Sequence, residues 1–453
     1  MTPDIPRNVK KIINTLQDAG FDAYAVGGCV RDIMLGREPA DWDVTTNAKP
    51  DSIKKLFRRT IDTGIKHGTV TVMMNDEDHS YKGYEVTTYR IDGEYEDSRH
   101  PREVTFTEDL KEDLKRRDFT INAMAYNDAS GLVDEFEGER DLKRRIIRAV
   151  GDPYERFTED ALRILRAYRF AAQLGFGIDV KTEEAASKLC KNLLNISAER
   201  IQSELTKLIC SPHPDVILDM YRAGITKVIL PEFDLCMKTD QKSRHHLYNV
   251  GEHTVRALMV NAEFSGIEFD SDTLRYIRYA LLFHDFGKPD AMTEDERGTR
   301  HFKGHAAISE RKAIDIMKRL KLDNDTIHMV AALVKWHDYR PEATKANIRR
   351  AMNKSGEDVF RLLFPIRIAD TLAQSMYKRA EKLAYEREIM MLYAGVIKDG
   401  DPVTLKDLAI KGQDLIERGY KPGPEIGKKL NELLQLVMED PACNTKEQLL
   451  SKI

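Results

Sequence analysis

"VGGCVRDIMLGREPADWDVTT", Val26 to Thr46, places two glycines at the head of a helical pattern, an arginine at position 31 and, ten residues on, two aspartates separated by a tryptophan. If "DWDVTT" is a strand, its period of two puts Asp41 and Asp43 on one face and Trp42 on the other. Two like charges projecting together call for a cation. Hard oxygen ligands on a rigid strand suit Mg²⁺, which shares its remaining positions with substrate phosphates. Gly27 and Gly28 let backbone N–H groups at the start of the helix approach a phosphate, and Arg31 adds a charge-assisted contact. Taken singly, Asp-x-Asp is common on exposed strands and Gly-Gly is common in turns. Together they describe a place where a nucleoside triphosphate is held while its α-phosphate is attacked.

Outward from this stretch the texture of the chain changes once. Up to about residue 150, strand-like runs ("YAVGG", "GTVTVMM", "YEVTTYR", "LVDEF") alternate with helical stretches. From "EDALRILRAYRFAAQLGF" onward, apolar residues recur at helical spacing and strand signals nearly vanish. The fold class expected is α+β: a small α/β head at 1–145, then an all-α neck at 146–240, a helical body at 241–380 and a helical tail at 381–453. With 453 residues and 42% hydrophobic content, the chain is long enough for two to four compact units.

Composition narrows the function classes. Five cysteines lie far apart with no Cys-x-x-Cys pair, which argues against a thiolate zinc site or a disulfide framework. The N-terminal segment has no apolar signal core, and no stretch approaches 18 uninterrupted apolar residues. The expectation is a cytoplasmic chain with no membrane partner. A net charge of −4 gives no global basic signal, so RNA contacts must come from local clusters such as Lys115-Arg116-Arg117, Lys143-Arg144-Arg145 and Arg163-Arg166-Arg169.

The opening stretch, followed by "TGIKHGTVTVM", "YEVTTYRIDGEYEDSRHP", "EDLKRRDFTINAMAY" and "RFTEDALRILRAYRFAAQLGF", resembles bacterial class II tRNA nucleotidyltransferases, the CCA-adding enzymes of the polymerase-β superfamily. The likeness runs from about residue 20 to 210 and resumes in "LAIKGQDLIERGYKPGPEIGKKLNELLQLV". It implies a polymerase-β-like head that adds the 3′-terminal CCA of tRNA from CTP and ATP, without a nucleic-acid template. By this resemblance, Asp41 and Asp43 carry Mg²⁺ and Glu85 is the third catalytic carboxylate. Gly28, Arg31 and Arg117 lie by the nucleotide, Asp118 and Asn122 shape the sugar pocket, and Arg166 and Arg169 extend toward the triphosphate. In "TEDALRILRAYRF", local rules make Thr158 an N-cap with Glu159 and Asp160 at the positive end of the helix. The resemblance instead makes Asp160 and Arg163 the readers of the incoming base. That has a physical reason: cytosine and adenine each present an amino donor beside a ring-nitrogen acceptor, whereas uracil and guanine present the reverse. The polar segment 92–110 resembles the flexible loop of full CCA-adding enzymes, which would shift these readers between C and A.

The helical body holds a second constellation: His253, His284-Asp285, His305, His337 and Asp370. In this order they resemble the HD superfamily of metal-dependent phosphohydrolases. Imidazole ligands suit a transition metal such as Mn²⁺, Co²⁺ or Ni²⁺ better than Mg²⁺. The activity implied is hydrolysis of phosphorylated RNA ends, either 2′,3′-cyclic phosphates or 3′-phosphates. Two other readings stand beside CCA addition: a poly(A) polymerase, and an HD-type hydrolase whose head only binds nucleotide.

Overall fold

The computed structural model describes residues 5–75, 80–93, 104–263 and 269–453. Up to residue 135 the described strands are β1 (Ala23–Val26), β2 (Asp43–Thr46), β3 (Thr60–Gly64), β4 (Thr69–Asn75), β5 (Tyr81–Thr88), β6 (Arg90–Asp92), β7 (Val104–Phe106), β8 (Ala125–Asn127) and β9 (Gly131–Val133). Seven of them form one sheet in the order β3-β4-β5-β2-β1-β8-β9, and β6 pairs with β7 as a separate ribbon. Neighbours are antiparallel except β2 and β5, which run parallel with Asp43 opposite Glu85.

The alternation of the strands sets which face is covered. Val44, Val70, Val72 and Val86 are fully buried, while their odd-numbered neighbours Asp43 and Glu85 are exposed. Helix Arg7–Asp18 packs against β1 and β2 and buries Val9, Ile12, Ile13 and Leu16. That i, i+3, i+4, i+7 spacing is one stripe of an amphipathic helix. A second cluster joins Val26, Leu114, Ala123, Ala125 and Val150.

The chain divides into two compact units, Met1–Ile229 and Leu230–Ile453. The first holds the sheet together with the helices to Ile229. Thus the segment assigned to a neck at 146–240 mostly shares a unit with the sheet. Among its described residues, the regular structure of the second unit is helical apart from the ribbon Thr293–Glu294 with Arg300–His301. Its C-terminal part closes over Leu408, Ile410, Leu433, Leu434, Val437, Met438 and Leu449. No described helix is long and apolar enough to cross a membrane.

One local expectation is corrected. Thr158 does not start a helix; it lies inside Pro153–Glu159, and its hydroxyl donates to the Tyr154 carbonyl at 2.8 Å. Asp152 is the N-cap of that helix, accepting from the Tyr154 N–H at 2.9 Å, with Pro153 at N1. The chain then breaks at Asp160, whose backbone is extended, before Leu162–Leu174 begins. The Asp160 carboxylate accepts from the Leu162 N–H at 3.0 Å and so satisfies a free donor of the new helix. Within the expected mobile segment 92–110, residues 94–103 lie outside the described residues, and its flanks β6 and β7 pair through Asp92 and Val104.

Candidate active site and metal centre

β2 begins at Asp43, and the alternation continues ahead of it: Asp41 is exposed and Trp42 buried. The parallel register with β5 sets Glu85 beside Asp43 on the same face, so three carboxylates are gathered there. Partial withdrawal from water raises the Asp43 carboxyl above its usual value. Arg117 opposes this, and the charges of Glu85 and Asp41 reinforce it. An all-oxygen donor set with mutual repulsion fits a hard divalent cation.

Beside it, Gly27 has φ 85°, and a Cβ there would stand 2.8 Å from Nη1 of Arg117. The glycine therefore lets the guanidinium lie directly on the backbone. Arg117 is held in turn by Asp113, 3.7 Å away, a fully buried carboxylate that also accepts from Arg116 at 2.7 Å and from the Thr45 hydroxyl at 3.1 Å. Arg31 turns inward: it donates to Asn122 at 2.7 Å and to both oxygens of Asp32. The Asn122 amide then donates to Asp118 at 3.2 Å, and Asp118 accepts from Arg166 at 2.8 and 2.5 Å. Burial alone would raise the Asp118 carboxyl, but Arg166 beside it outweighs that and holds it at about 2.

A cavity of about 240 Å³ opens over this network, lined by Arg116, Arg117, Asp118, Asp160, Arg163 and Arg166, with Arg200 and Leu162 completing the wall. Asp160 and Arg163 both face it, and the Arg163 backbone N–H donates to the Asp160 carbonyl at 3.0 Å. Arg200 donates to Asp160 at 2.6 Å, while Arg163 donates to Glu159 at 2.5 Å and to the Arg116 carbonyl at 3.0 Å. Arg169 does not join them. It is buried against Glu204 at 2.5 Å and Gln173 at 2.8 Å, so here it braces the helix Ala198–Ile209. Gly28 opens helix Gly28–Met34, with its Cβ position facing the Arg31 guanidinium at 3.6 Å.

The sheet, the carboxylate trio and the arginine cavity can be set against known proteins. Residues 23–148 match the family model described as poly A polymerase head domain, 175–237 one for an RNA- and SrmB-binding site of polymerase A, and 293–453 one for tRNA nucleotidyltransferase domain 2. The chain is 34% identical to the CCA-adding enzyme of Lactobacillus helveticus over 448 residues, covering 99% of this chain and 96% of that one. It belongs to the CCA-adding enzyme family. A solved CCA-adding enzyme of Bacillus stearothermophilus in complex with CTP superposes with a TM-score of 0.70 at 30% identity, over 98% of this chain and 96% of that chain. The Thermotoga maritima CCA-adding enzyme complexed with tRNA shares the fold at a TM-score of 0.57 and 21% identity, over 99% and 95% of the two chains. This member of the family is thus a nucleotidyltransferase built on a mixed α/β head.

Sequence reasoning missed two residues of this family member's cavity, Arg116 and Arg200, and the buried Asp113 that anchors its arginines. Arg116 was seen only as part of a basic cluster, Asp113 was not singled out, and Arg200 sits on a helix whose amphipathic pattern gave it no distinction. The signal available was the Arg200 and Glu204 pair at i, i+4, both of which reach back to the helix that bears Arg163 and Arg169 or to its start.

In the second unit all six residues of the HD-like constellation come together. His253, His284 and Asp285 form one group able to hold a metal ion, and Asp285, His305 and His337 form another. His253 Nε2 lies 2.9 Å from Asp370 and 3.6 Å from Asp285. Three of the rings are fixed in the same way: Nδ1 of His284, His305 and His337 donates to the carbonyl three residues earlier, at 2.7, 2.9 and 2.7 Å. That bond leaves each Nε2 lone pair turned toward the cluster, as a ligating imidazole requires. His337 is kept neutral: burial pushes it down to about 3, with the neighbouring His284 and His305 adding to the shift. His284 Nε2 lies 3.2 Å from Asp285 Oδ2, and Lys288 Nζ sits 2.7 Å from that same oxygen, so a lysine already offsets part of the carboxylate's charge. The convergent imidazole and carboxylate donors form a set that fits a transition-metal cation.

Proposed function

We propose that this chain builds and repairs the 3′-terminal CCA of tRNA from CTP and ATP, with release of pyrophosphate. Asp41, Asp43 and Glu85 would hold Mg²⁺, which supplies neutralisation of the triphosphate and activation of the tRNA 3′-hydroxyl. Arg117, seated on Gly27 between that trio and the cavity, binds the phosphates. Asp118 and Asn122, tied to Arg166 and Arg31, give the sugar a rigid wall. Asp160 accepts from the amino group of C or A while Arg163 donates to the adjacent ring nitrogen. Arg200 holds the Asp160 carboxylate at the angle this needs. The observation that carries the reading is the single cavity lined by Asp160, Arg163, Arg166, Asp118 and Arg117. The test is to incubate the protein with Mg²⁺ and a tRNA ending at its discriminator base, offering CTP and ATP separately and together. The expected products are CC with CTP and CCA with both; an A ladder from ATP alone identifies a poly(A) polymerase instead.

The buried His–Asp cluster favours a second activity, hydrolysis of phosphorylated RNA ends at a centre holding Mn²⁺, Co²⁺ or Ni²⁺. The convergent Nε2 atoms support it. The double replacement His284→Ala with Asp285→Ala is expected to abolish release of phosphate from 3′-phosphorylated RNA and opening of 2′,3′-cyclic ends. Absence of bound metal by elemental analysis, together with no hydrolysis by the wild type, refutes it.

A further inference from the structure

Next to the His–Asp cluster lies a larger cavity of about 440 Å³, whose charged lining sets Asp338, Asp370, Glu381 and Glu386 against Arg340, Lys378 and Lys382. Its floor is therefore the same helix, Glu357–Ala373, that contributes Asp370 to the cluster, and its far wall is the next helix, Arg379–Asp399. We infer that this cleft docks the phosphate of a nucleotide end and that Lys382 is the residue that grips it. The inference rests on the phosphohydrolase reading for its chemistry, because it supplies that centre with a substrate side.

The three cations are not equivalent. Arg340 is already paired with Glu386 at 3.3 Å, and the same Glu386 also faces the buried Arg367 at 3.4 Å. Lys378 lies 3.9 Å from Glu381, one turn along. Lys382 has a different setting. Its Nζ donates to Oε1 of Gln374 at 2.5 Å and approaches Nδ1 of His245 at 3.3 Å. Both acceptors are neutral, since burial and the nearby lysines keep His245 below its usual value. Its direct hydrogen bonds thus go to neutral dipoles, while Asp370 and Asp338 act on it through their charge and burial opposes its charged form, so an anion seated on Nζ would replace part of its lost hydration.

Its position favours one kind of anion. The Gln374 amide that accepts from Lys382 donates its own N–H to Oδ1 of Asp370 at 3.0 Å. Two hydrogen bonds thus connect the ammonium to a residue of the His–Asp cluster. A tetrahedral phosphate gripped by Lys382 meets that cluster through a second oxygen, an arrangement a flat carboxylate does not match as well. The volume holds one nucleotide but not a duplex stem. Tyr377, the chain neighbour of the lining Lys378, is 42% exposed and packs edge-on to His245 with centroids 4.9 Å apart, an aromatic face available to a terminal base.

Lys382→Met and Lys382→Arg test the inference in the full-length protein. Calorimetry with inorganic phosphate, and with non-hydrolysable phosphonate analogues of adenosine 3′-monophosphate and of a short 3′-phosphorylated oligoribonucleotide, reads binding without turnover. Any binding elsewhere on the chain is common to all three proteins and drops out of the difference. Lys382→Met is expected to weaken phosphate binding about tenfold or more, the worth of one charge-assisted hydrogen bond, while Lys382→Arg retains most of it. Bound metal should stay at the wild-type level in both. Equal affinity of the free monophosphate and the oligonucleotide marks a mononucleotide site, and tighter oligonucleotide binding marks an RNA-end site; either supports the cleft. Wild-type affinity in Lys382→Met overturns it, and if hydrolysis persists the phosphohydrolase reading survives alone. Lys382-dependent binding without metal or turnover supports the docking site and removes the hydrolase.

Discussion

Asp118 is a carboxylate placed where several donors converge: Arg166 twice on one oxygen, and the Phe119 N–H at 2.8 Å with the Asn122 amide on the other. Its folded value of about 2 lies below the ordinary 3.8, so the unfolded chain takes up the proton first. The stabilisation it provides is therefore fully present above pH 4 and is lost as pH falls toward 2. Its size is roughly 2 kcal/mol, and urea unfolding of wild type and Asp118→Asn across that window should converge at the acid end. At the carboxylate trio, Asp43→Ala should lower nucleotide addition by about a thousandfold or more while leaving the thermal midpoint near that of the wild type, because the side chain is exposed. Primer-extension rates on tRNA and a melting curve check both halves. Asp160→Ala should relax selection of C and A over U and G by roughly 1–3 kcal/mol, read as misincorporation ratios. Unchanged fidelity would reduce Asp160 to a helix cap. The Asp-x-Asp spacing was legible because a period of two is a geometric rule. Glu85 was named only through the family resemblance, since which strand neighbours β2 is decided by long-range pairing and appears only in the register.

At the scale of elements, the break between Pro153–Glu159 and Leu162–Leu174 was invisible to pattern reading. Apolar periodicity runs through both helices, and the signal for the break is one short polar side chain folding back onto the Leu162 N–H. The same holds for Asp113, in the short helix Leu110–Lys115. Sequence alone makes it a surface acid, yet it is fully buried, with Thr45 and Arg116 donating to it and Arg117 beside it. Asp113→Ala would strand buried guanidinium groups and should cost about 3–5 kcal/mol. It should also raise the KM for CTP and ATP, since Arg117 loses its anchor. A chemical denaturation curve and steady-state kinetics separate the two effects.

Across the whole molecule, the change from strand to helix near residue 150 was readable from periodicity, whereas the division at Ile229 was not, because helices to that point bury their faces within the sheet-bearing unit. The six His and Asp residues are spread over 118 positions and were legible only as an ordered motif. Their convergence depends on several helices stacking, among them Val250–Glu263 on Glu357–Ala373 and His305–Arg319 on Asn324–Trp336. The two centres differ in donor chemistry, all-oxygen in the head and imidazole-rich in the second unit. Dialysis against a chelator should therefore silence nucleotide addition and the hydrolysis proposed for the His–Asp centre. Mg²⁺ alone should restore nucleotide addition, and Mn²⁺, Co²⁺ or Ni²⁺ should be required for hydrolysis.

Gly27 carries no functional group, yet its backbone bears the Arg117 guanidinium at a distance that leaves no room for a methyl, in a conformation that other residues rarely adopt. In a saturation scan of the chain, tolerance should therefore not track chemical role. Position 27 is expected to be as brittle as Asp43 although nothing there reacts, while the true nucleophile, the 3′-hydroxyl of the RNA, belongs to no residue at all. What such a scan would map is the negative space of the active site, the volume that heredity must keep vacant.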